Sequence, residues 1–542
     1  LLEAFAALSP LPALVMTSGN AGGEPISLGN REALARLRHI ADLFLFHNRD
    51  ILIRADDSVV RVESSPRECF FTDNNSQHYP QKNSIPSASS PSRPNGTSAG
   101  IPSPSAKNLE GWGAGGGNLS SENALPRESP PLHFFRRARG FVPRPLELPR
   151  DAGRCVLATG GELKNTLCLT RGKDAFLSQH VGDLKNLETF EFFQNMAEHL
   201  GGLLEVKPEA IVCDLHPDYL STSYALDSGL PVLRLQHHFA HVYGVLAENG
   251  HDAPALGLAL DGTGYGTDGT IWGGEILLAD LDGFRRIGSI EPFLQAGGDL
   301  SAKEGWRIAV SLIWQISESK DEAMQIIQKL GLCEEKEAKV QLAMLERKIN
   351  AVESTSAGRL FDGISAILGI RKKSSFEGEA SMALEFAAEA YEKRSGEKKI
   401  NVLDGQKCLT ESADDGRELL LTSRLVRAAV EVVSNIGENA VAEDTFDQDL
   451  IEKAAYEFHK GLAEQIVTAC IHAKEKTGCQ TAALSGGVFQ NGLLLRLTED
   501  GLIANGFHVL IHQMIPPNDG GIALGQAFYG MNHECVEEAP IL

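Results

Sequence analysis

The pattern of apolar and polar positions predicts short buried strands that alternate with longer helices. Brief apolar runs that end on Gly, Asp or Ser begin near residues 154, 210, 255 and 481. Such a run is typical of a strand that delivers a loop to a site. Because these strands alternate with long helical stretches, the pattern predicts an α/β fold with two lobes around a cleft.

A smaller pattern of the same kind occupies residues 11–64. An apolar run at 12–20 predicts a buried strand, the apolar spacing of 30–48 predicts a helix, and 50–62 predicts another strand. These three elements predict part of a separate α/β domain.

The composition changes between residues 65 and 133, where Ser, Pro, Asn and Gly dominate. Such a stretch cannot bury enough apolar surface to offset its chain entropy. We therefore expect a disordered insertion over 65–133. The prolines of residues 134–148 then predict an extended connector.

Composition and charge are those of a large acidic globular protein. The 542 residues are 42% hydrophobic and 23% charged, and the formal net charge is -22. A nucleic-acid surface needs a clustered positive field, so we expect no nucleic-acid partner. Acidic residues concentrate in 316–357 and 410–450, which we interpret as solvated helix faces. No apolar run is long enough to span a bilayer, so we expect no membrane association.

Cysteine usage favours a reducing compartment. The nine cysteines include no CxxC pair, which disfavours both a disulfide framework and a thiolate zinc site. We therefore expect a cytoplasmic protein. The chain starts at Leu1 and not at a methionine, and its first residues already have the apolar spacing of a helix. We therefore expect it to be part of a longer protein.

Three histidines stand close together in the stretch LRLQHHFAHVYG. His237 and His241 are four residues apart, so on a helix both rings share a face and reach one ion, whereas His238 points elsewhere. The alternative is a capped helix whose histidines lie in the core or on the surface. Asp261 and Asp519 each follow an apolar run. Two imidazoles with two carboxylates suit iron or zinc.

Two glycine-rich loops are candidate anion sites. The stretch DGTGYGTDGTIWGGE begins at Asp261 and includes Gly262, Gly264 and Gly266, which let backbone N–H groups approach phosphate oxygens closely. The alternative is a simple glycine-rich β-turn. The stretch LSGGVFQN at 484–491 follows an apolar run and opens a helix whose N-terminus favours anions.

Other polar residues are candidates for phosphate or nucleotide contacts. Lys164 in GGELKN is one, against the alternative of an exposed hairpin lysine. A second candidate set for binding a nucleotide or a carboxyl-like anion consists of Arg54, Ser58 and Arg61. The alternative is ordinary surface charge on a strand. No GxSxG, HExxH or P-loop motif is present, which excludes the common hydrolase, zincin and P-loop functions.

Taken together, these stretches closely resemble the HypF-type carbamoyltransferases of hydrogenase maturation. The resemblance rests on LVMTSGN, GEPI, RADDSVVR, RRARGFVPRP, TGGELKNTLCL, SQHVGDLKNLET, CDLHPDYLSTSYA, QHHFAHV, LDGTGYGTDGTIWGGE, SAGRLFDG, EGEASMALE and SGGVFQN. The strings follow the order expected for the family. They cover nearly everything outside 65–133 and some helical stretches.

The resemblance implies a two-lobed, actin-like (ASKHA) transferase domain over 149–542, similar to the Kae/TsaD-type tRNA threonylcarbamoyl transferases. Residues 1–64 look like the C-terminal part of a YrdC-like α/β domain, which ends with its connector at 134–148. A complete family member also carries an acylphosphatase-like domain, paired CxxC zinc fingers and the early YrdC-like region. The resemblance implies that these parts are missing from this chain and that adenylate formation is incomplete.

The resemblance also implies an ATP-dependent transfer reaction. The family converts carbamoyl phosphate and ATP to carbamoyl-adenylate, and it passes the carbamoyl group to the C-terminal cysteine of a HypE-type partner. The product is the precursor of the cyanide ligand of NiFe hydrogenase. Matched motif by motif, His237, His241, Asp261 and Asp519 look like the ligands of a divalent metal, iron or zinc. Lys164 and Asp261 take catalytic roles.

The remaining matched residues are assigned to the nucleotide. The glycines of both loops, Gly262, Gly264 and Gly266 in the first, would hold carbamoyl-adenylate, with Lys164 near its phosphate. Those placed near the nucleoside are Gly486, Gly487 and Asn491. Those that match the YrdC-like nucleotide and carbamoyl contacts are Thr17, Ser18, Asn20, Arg54 and Ser58.

Three other functions remain open on the sequence. The first is an antibiotic-tailoring O-carbamoyltransferase, which shares both folds and the histidine pair; SQHVGDLKNLET and CDLHPDYLST favour the hydrogenase branch over it. The second is an actin-like phosphotransferase or ATPase, in which the histidine pair would have no purpose. The third is a non-catalytic piece that binds its partner but makes no adenylate.

Overall fold

The computed structural model describes residues 19–20, 24–46, 48, 50–62, 132–151, 153–396, 409–438 and 444–533. One structural unit comprises residues 1–61 and 132–542, and a second comprises 62–131, of which Val62 alone is described. The predicted insertion over 65–133 lies outside the described residues, except that Leu132 and His133 begin a strand. The strand predicted at 12–20 also lies outside them, apart from its last two residues.

The described part before the first lobe contains one short helix and two strands. These are α1 Asn30–Leu37, β1 Val59–Val62 and β2 Leu132–Arg136, and the two strands form a two-stranded sheet. Ser58 joins the two chain segments, because its hydroxyl donates to the carbonyl of Arg139 at 3.0 Å and accepts from the N–H of Ala138 at 2.9 Å.

The predicted elements of this part are longer than the observed ones. The helix predicted over 30–48 ends at Leu37, and the strand predicted over 50–62 is confined to its last four residues. Leu43, Leu45 and Leu52 are 92%, 87% and 86% exposed. A helix in a protein is stabilised mainly by packing of its apolar face, and these side chains pack on no such surface among the described residues.

The first lobe is built on a six-stranded sheet in the order β3-β6-β5-β4-β7-β8. Its strands are β3 Leu146–Glu147, β4 Val156–Ala158, β5 Cys168–Arg171, β6 Asp174–Leu177, β7 Ala210–Asp214 and β8 Val232–Leu235. Its helices are α2 Leu187–Leu204, α3 Leu220–Asp227 and α4 His237–Glu248. β4, β7 and β8 run parallel, with Asp214 opposite Leu235 in register. The C-terminal end of β7 therefore lies beside the start of α4, because α4 follows directly after β8.

The second lobe is built on a nine-stranded sheet with the main order β14-β15-β11-β10-β9-β16-β17. Its strands are β9 Ala255–Tyr265, β10 Ile271–Ala279, β11 Phe284–Ile290, β12 Phe293–Ala296, β13 Ala351–Ser354, β14 Thr410–Ser412, β15 Glu418–Leu420, β16 Thr481–Ser485 and β17 His508–Leu510. β9 and β10 form a long antiparallel hairpin, and β16 runs parallel to β9 with Ser485 opposite Ala259.

The remaining helices belong to the second lobe, except the last, which packs between the two sheets. They are α5 Gly305–Ile316, α6 Lys320–Lys329, α7 Glu335–Arg347, α8 Ala357–Ile367, α9 Glu379–Ser395, α10 Thr422–Glu438, α11 Asp444–Thr477, α12 Gly492–Ala504 and α13 Ile522–Asn532. The α/β class predicted from the sequence is thus confirmed. No helix among the described residues is both long and apolar enough to cross a bilayer.

Helices α4 and α13 form a layer between the two sheets. One apolar cluster joins Val156 and Val212 of the first sheet, through both helices, to Ala259 and Leu277 of the second. Every residue of α4 from its first position through Ala247 is buried. A helix buried on all sides is held by its neighbours in every direction, so the two sheets fix the position of α4.

The two central helices approach each other at glycines. A Cβ on Gly525 of α13 would lie 1.9 Å from the carbonyl oxygen of Ala240 in α4. A Cβ on Gly244 of α4 would lie 3.3 Å from the carbonyl oxygen of Gly521. The backbones can approach this closely only because both positions lack side chains.

Candidate metal centre and transfer site

Helix α4 carries the two histidines of the predicted metal site. The side chain of Gln236 caps the helix by accepting from the N–H of Phe239 at 2.9 Å. The helix therefore starts at His237, and His241 follows one turn later on the same face, with 5.1 Å between the two ring centroids. Both rings are buried at the end of α4 that faces the ends of β7 and β9.

Two carboxylates complete the group of potential ligands. Asp261 Oδ2 lies 3.5 Å from Nε2 of His237 and 4.0 Å from Nε2 of His241. Asp519 Oδ1 lies 3.9 Å and 3.8 Å from the same two nitrogens. One ligand atom from each of the four residues lies within 4.8 Å of the others. The structure thus brings together the four residues that the sequence predicts as ligands.

The histidine nitrogens that face this group suit a metal ion. Nε2 of His237 and Nε2 of His241 are buried without a hydrogen-bond partner among the described residues. An unpaired buried polar atom costs free energy, and coordination of a cation removes that cost. Two imidazoles and two carboxylates are a donor set suited to zinc or iron. The residues present therefore fit a divalent metal.

His238 lies outside this group, as the sequence predicts. Its Nδ1 lies 3.1 Å from Nε2 of Gln236, and its ring centroid lies 6.3 Å from that of Trp272. A Cβ on Gly264 would lie 2.4 Å from Cε1 of this ring, so the glycine is required for β9 to pass the histidines. Nε2 of His238 is also buried without a hydrogen-bond partner in the described part of the chain, but His238 is not part of the group whose ligand atoms lie within 4.8 Å of one another.

Asp214 orients one of the two histidines, and the sequence analysis missed it. Its Oδ2 lies 2.7 Å from Nδ1 of His237, and both side chains are buried. A carboxylate at Nδ1 keeps a proton on that nitrogen and leaves Nε2 free to bind a metal. The available signal was an aspartate at the end of an apolar run in CDLHPD, the same signal that selected Asp261.

Burial and neighbouring charges shift the pKa values of the four candidate ligands in different directions. Burial opposes a charge on His237, but the charge and hydrogen bond of Asp214 raise its pKa well above the ordinary value. Burial lowers the pKa of His241 to about 3, which leaves that ring neutral. Burial and the charge of Asp261 raise the pKa of Asp519 to about 7. Burial also opposes a charge on Asp261, yet the histidines hold its pKa well below the ordinary range.

Metal affinity is therefore expected to rise with pH between about 6 and 8. Below about pH 7 a metal must displace a proton from Asp519, whose pKa is raised to about 7, and also from His237. Above that pH the competition from Asp519 fades. Equilibrium competition against a chelator at pH 6, 7 and 8 measures the change in metal affinity. Asp519→Asn, which lacks the titrating carboxyl group, serves as the comparison variant. An affinity that is constant over this range would contradict these protonation states.

The first glycine stretch forms the β9–β10 hairpin, with only part of it in a turn. Gly262 and Gly264 lie within β9, and Gly266 begins the turn. A Cβ on Gly266 would lie 2.4 Å from Nε1 of Trp272 across the hairpin. These glycines allow close packing of the hairpin next to Asp261. Their assignment to carbamoyl-adenylate stays a prediction.

The second glycine loop supports Asp261. The N–H of Gly487 donates to Oδ1 of Asp261 at 2.8 Å, which leaves Oδ2 directed at the histidines. Gly486 has φ 100°, and a Cβ there would lie 2.2 Å from the carbonyl oxygen of Leu260. Only glycine combines that backbone conformation with so close an approach to β9.

Asn491, predicted near the nucleoside, uses both ends of its amide within the protein. Its Oδ1 accepts from the N–H of Leu494 at 2.9 Å and so caps α12. Its Nδ2 lies 2.9 Å from Nε2 of His459. Helix capping accounts for this side chain, so the structure adds no support for its nucleotide assignment.

Lys164 lies on a loop that touches the turn carrying Asp519. Thr166 of this loop donates from its hydroxyl to the carbonyl of Gly520 at 3.0 Å. Lys164 Nζ reaches across to Glu377 of the second lobe, at 2.6 Å and 2.7 Å from its two carboxylate oxygens. The structure therefore places Lys164 beside the candidate metal group, paired with a residue that the sequence analysis did not single out.

The residues predicted to contact the YrdC-like substrates are only partly described. Thr17 and Ser18 lie outside the described residues. Asn20 donates from Nδ2 to the carbonyl of Glu24 at 2.7 Å. Arg54 donates to the carbonyl of Ile26 at 2.8 Å and to Oε1 of Glu32 at 2.9 Å, and Ser58 bridges to 138–139. The described contacts of these side chains are all within the chain, and their substrate roles stay predictions.

Family models match most of the chain. A model described as the second subdomain of a carbamoyltransferase Kae1-like domain matches residues 257–526. A model described as the HypF Kae1-like domain matches 151–248. The Sua5/YciO/YrdC model, described as telomere recombination, matches 1–70.

Curated relatives are similar over nearly the whole chain. The carbamoyltransferase HypF2 of Cupriavidus necator is 35% identical over 96% of this chain and 56% of its own length. The probable carbamoyltransferase HypF of Methanocaldococcus jannaschii is 31% identical over 95% of this chain and 56% of its own. The chain thus spans little more than half the length of these relatives. A shorter HypF homolog of Cupriavidus necator is 33% identical over 71% of this chain and 93% of its own length.

Two solved HypF structures share the fold. The crystal structure of full-length HypF in the phosphate- and nucleotide-bound form is 30% identical, with a TM-score of 0.73 over 95% of this chain and 66% of that one. The structure of T. kodakarensis HypF is 27% identical, with a TM-score of 0.71 over 95% of this chain and 57% of that one. The predicted combination of a two-lobed, actin-like domain with a YrdC-like region is thereby confirmed. The chain belongs to the HypF carbamoyltransferase family.

Proposed function

We propose that this chain transfers a carbamoyl group from carbamoyl-adenylate to the C-terminal cysteine of a HypE-type partner, for synthesis of the cyanide ligand of NiFe hydrogenase. The observation that carries the proposal is the buried group of His237, His241, Asp261 and Asp519, whose ligand atoms lie within 4.8 Å of one another. Membership of the HypF family supports the carbamoyl group as cargo, and the metal-ligand group is suited to activating its carbonyl.

Some residues of the site would bind the metal or the phosphate, and others hold these residues in position. When bound, a divalent metal such as iron or zinc would act as a Lewis acid on the carbamoyl carbonyl and on the departing phosphate. The four ligands would hold it, and Lys164 would bind the adenylate phosphate beside them. The hairpin and the Gly486 loop hold Asp261 in place from two sides. Closure of the two lobes over the substrate would exclude water, which otherwise competes for the carbamoyl group.

The nucleophile is best supplied from outside the chain. Attack on the adenylate carbonyl requires a thiolate, whose formation is favoured by a lowered pKa. Burial raises the pKa of five described cysteines: Cys155, Cys168, Cys213, Cys333 and Cys470. These five thiols stay protonated at neutral pH, and the sixth described cysteine, Cys479, donates from Sγ to the carbonyl of Pro254 at 3.4 Å. Both observations support a partner cysteine as the acceptor.

Carbamoyl phosphate and ATP are the proposed upstream substrates. The HypF crystal structure described as phosphate- and nucleotide-bound supports nucleotide binding in the family. The YrdC-type family model matches only the first 70 residues of this chain. The transfer assay therefore includes a reaction that supplies the other part of a HypF relative.

A transfer assay tests this function. The purified chain is mixed with a HypE-type partner, ATP and labelled carbamoyl phosphate, and label is sought on the terminal cysteine of the partner. A parallel reaction adds the remaining part of a HypF relative as a separate protein. Label in the second reaction alone supports transfer with adenylate supplied in trans. No label in either, while a complete HypF relative labels the partner, would contradict the proposal.

Metal content separates this function from an actin-like phosphotransferase. Stoichiometric iron or zinc in the purified chain is expected, because the two unpaired Nε2 atoms and two carboxylates converge on one position. Elemental analysis of protein purified without chelators measures it. Protein that carries neither metal and cannot be loaded with either would favour the phosphotransferase.

Neutralising Glu377 is expected to strengthen nucleotide binding. Glu377 competes with a phosphate for Lys164, to which it is paired at 2.6 Å. Because the Glu377 side chain is largely exposed, Glu377→Gln should tighten AMP binding only a few-fold, consistent with about 0.2–1 kcal/mol for an exposed pair. Titration calorimetry with AMP measures the effect. Glu335→Gln, in the exposed pair with Lys339, serves as the control and should leave AMP affinity unchanged.

A further inference from the structure

The two candidate ligand histidines receive unequal support at their second nitrogen. His237 contacts the carboxylate of Asp214 directly at 2.7 Å. Nδ1 of His241 instead faces the hydroxyl of Ser485 at 3.4 Å. Building on the metal site of the proposed function, we propose that Glu248, His512 and Ser485 form a hydrogen-bond relay that fixes the tautomer of His241 for metal binding.

The relay is continuous and buried. Ser485 Oγ lies 2.8 Å from Nε2 of His512, and Nδ1 of His512 lies 2.8 Å from Oε2 of Glu248. The side chains of His512 and Glu248 are each only 4% exposed, and Ser485 is fully buried. The other oxygen of Glu248 accepts from the N–H of Gln513 at 2.8 Å and from the N–H of Met514. The carboxylate is therefore fixed at its end of the chain.

The direction of each hydrogen bond follows from the carboxylate. Glu248 accepts at its other oxygen from two backbone N–H groups, so it also serves as the acceptor for Nδ1–H of His512. The relay then requires His512 to accept at Nε2. Ser485 then donates its single hydroxyl proton to Nε2 of His512 at 2.8 Å. This contact is shorter than those to Nδ1 of His241 and to the carbonyl oxygen of Pro517, both at 3.4 Å. A lone pair of its oxygen remains to accept from Nδ1–H of His241. With its proton on Nδ1, His241 presents an unprotonated Nε2 to the metal position.

The relay joins elements that are distant along the chain. His241 and Glu248 lie on α4, Ser485 ends β16, and His512 follows β17. β16 and β17 are parallel neighbours, so Ser485 at the end of β16 and His512 just beyond the end of β17 meet at one edge of the sheet. Asp214 serves the first histidine from the other lobe. Each histidine thus depends on a carboxylate, one in direct contact and one through two intermediates.

Ser485, His512 and Glu248 are positioning residues, so metal affinity is the readout. Ser485→Ala removes the acceptor of His241 Nδ1–H and should weaken zinc binding by about 10-fold to 100-fold, the usual cost of losing such a partner of a ligand histidine. Ser485→Thr keeps the hydroxyl and should retain most of the affinity. Competition with a chromophoric chelator measures zinc affinity, and circular dichroism of the metal-free variants confirms folding.

Ser289→Ala is the matched control. Ser289 is a fully buried serine of β11 in the same sheet, and its hydroxyl has no hydrogen-bond partner among the described residues. Its replacement should leave zinc affinity unchanged. If Ser289→Ala and Ser485→Ala weaken zinc binding equally, the loss comes from packing and the relay is overturned.

A double-mutant cycle tests whether the members act in series. His512→Ala should weaken zinc binding, but adding it to Ser485→Ala should cause little further loss, because the relay is already broken. Additive losses would overturn the relay. His241→Ala separates the two proposals: if it abolishes zinc binding while Ser485→Ala does not weaken it, the metal site stands and the relay fails. A wild-type chain that binds no zinc or iron overturns both.

Discussion

His241→Ala is expected to abolish both metal binding and carbamoyl transfer. The variant removes one of two imidazoles from a group in which both Nε2 atoms face Asp261 and Asp519 at 3.5–4.0 Å. Loss of a partner that merely orients a ligand already costs about 10-fold to 100-fold in metal affinity, so loss of the ligand itself should exceed about 100-fold. Zinc and iron content by elemental analysis, with transfer to the partner cysteine, measures the effect.

His237→Ala should give the same loss with an added cost in stability. It leaves the buried carboxylate of Asp214 without its 2.7 Å contact. Oδ1 of Asp214 still accepts from the N–H of His216 at 2.9 Å, so the loss should be at most about 3–5 kcal/mol, the cost of breaking a buried charge pair. The free energy of unfolding should therefore fall more for His237→Ala than for His241→Ala, whose Nδ1 has a neutral neighbour at 3.4 Å. Denaturant titration of the two metal-free variants measures the difference.

His238→Ala is the control for both variants. His238 lies on the same helix and is equally buried, but its ring faces Gln236 and Trp272. It should lose stability by truncation in the core and keep its metal. Equal retention of metal in all three variants would contradict the ligand assignment. Equal loss in all three would show that burial on α4, and not coordination, decides the outcome.

Gly525→Ala is expected to lower the free energy of unfolding by about 3 kcal/mol, near the upper end for overpacking of a core. The added Cβ would lie 1.9 Å from the carbonyl oxygen of Ala240, so α13 must move away from α4. Asp519 lies three residues before α13 begins, and α4 carries the histidines. The same displacement should therefore separate Asp519 from its partners and weaken metal binding. Urea unfolding and chelator competition measure the two effects.

Gly202→Ala provides the matched helical control. Gly202 lies in α2, and a Cβ there would meet nothing within 4 Å. This change should leave metal affinity unaltered and leave stability equal or raise it by up to about 1 kcal/mol, because alanine restricts the unfolded chain. If Gly525→Ala behaves like Gly202→Ala, the close crossing of α4 and α13 does not position the site.

The elements of the two lobes could be predicted because their signals are local. Apolar runs that end on glycine or aspartate marked β7, β9 and β16, and all three are strands. The prediction that His237 and His241 share a face required only that QHHFAHV form a helix. Gln236 caps the start of that helix. The two candidate ligand carboxylates were found because each follows an apolar run, although Asp261 lies inside β9, which continues to Tyr265. These predictions depend on a few neighbouring residues and not on the rest of the chain.

The supporting contacts could not be predicted because they join distant segments. Asp214 meets His237 only because β7 and β8 are parallel neighbours. Ser485 meets His512 for the same reason in the other sheet. The local pattern also predicted elements in 30–62 that are longer than the observed ones. The pattern depends on where apolar residues lie in the sequence and not on whether these residues pack in a core. Asn491 shows a related limit: a sequence motif does not reveal that a helix cap already uses the amide.

Complete burial of α4 has a consequence for how its sequence can be interpreted. An amphipathic helix has a solvent face on which substitutions accumulate freely, so invariance there marks function. No position of α4 before its last residue offers such freedom, because all are enclosed. A comparison of related sequences along this stretch could therefore not distinguish the two histidines of the candidate metal group from His238 between them. Only a measurement that separates coordination from space filling can do so.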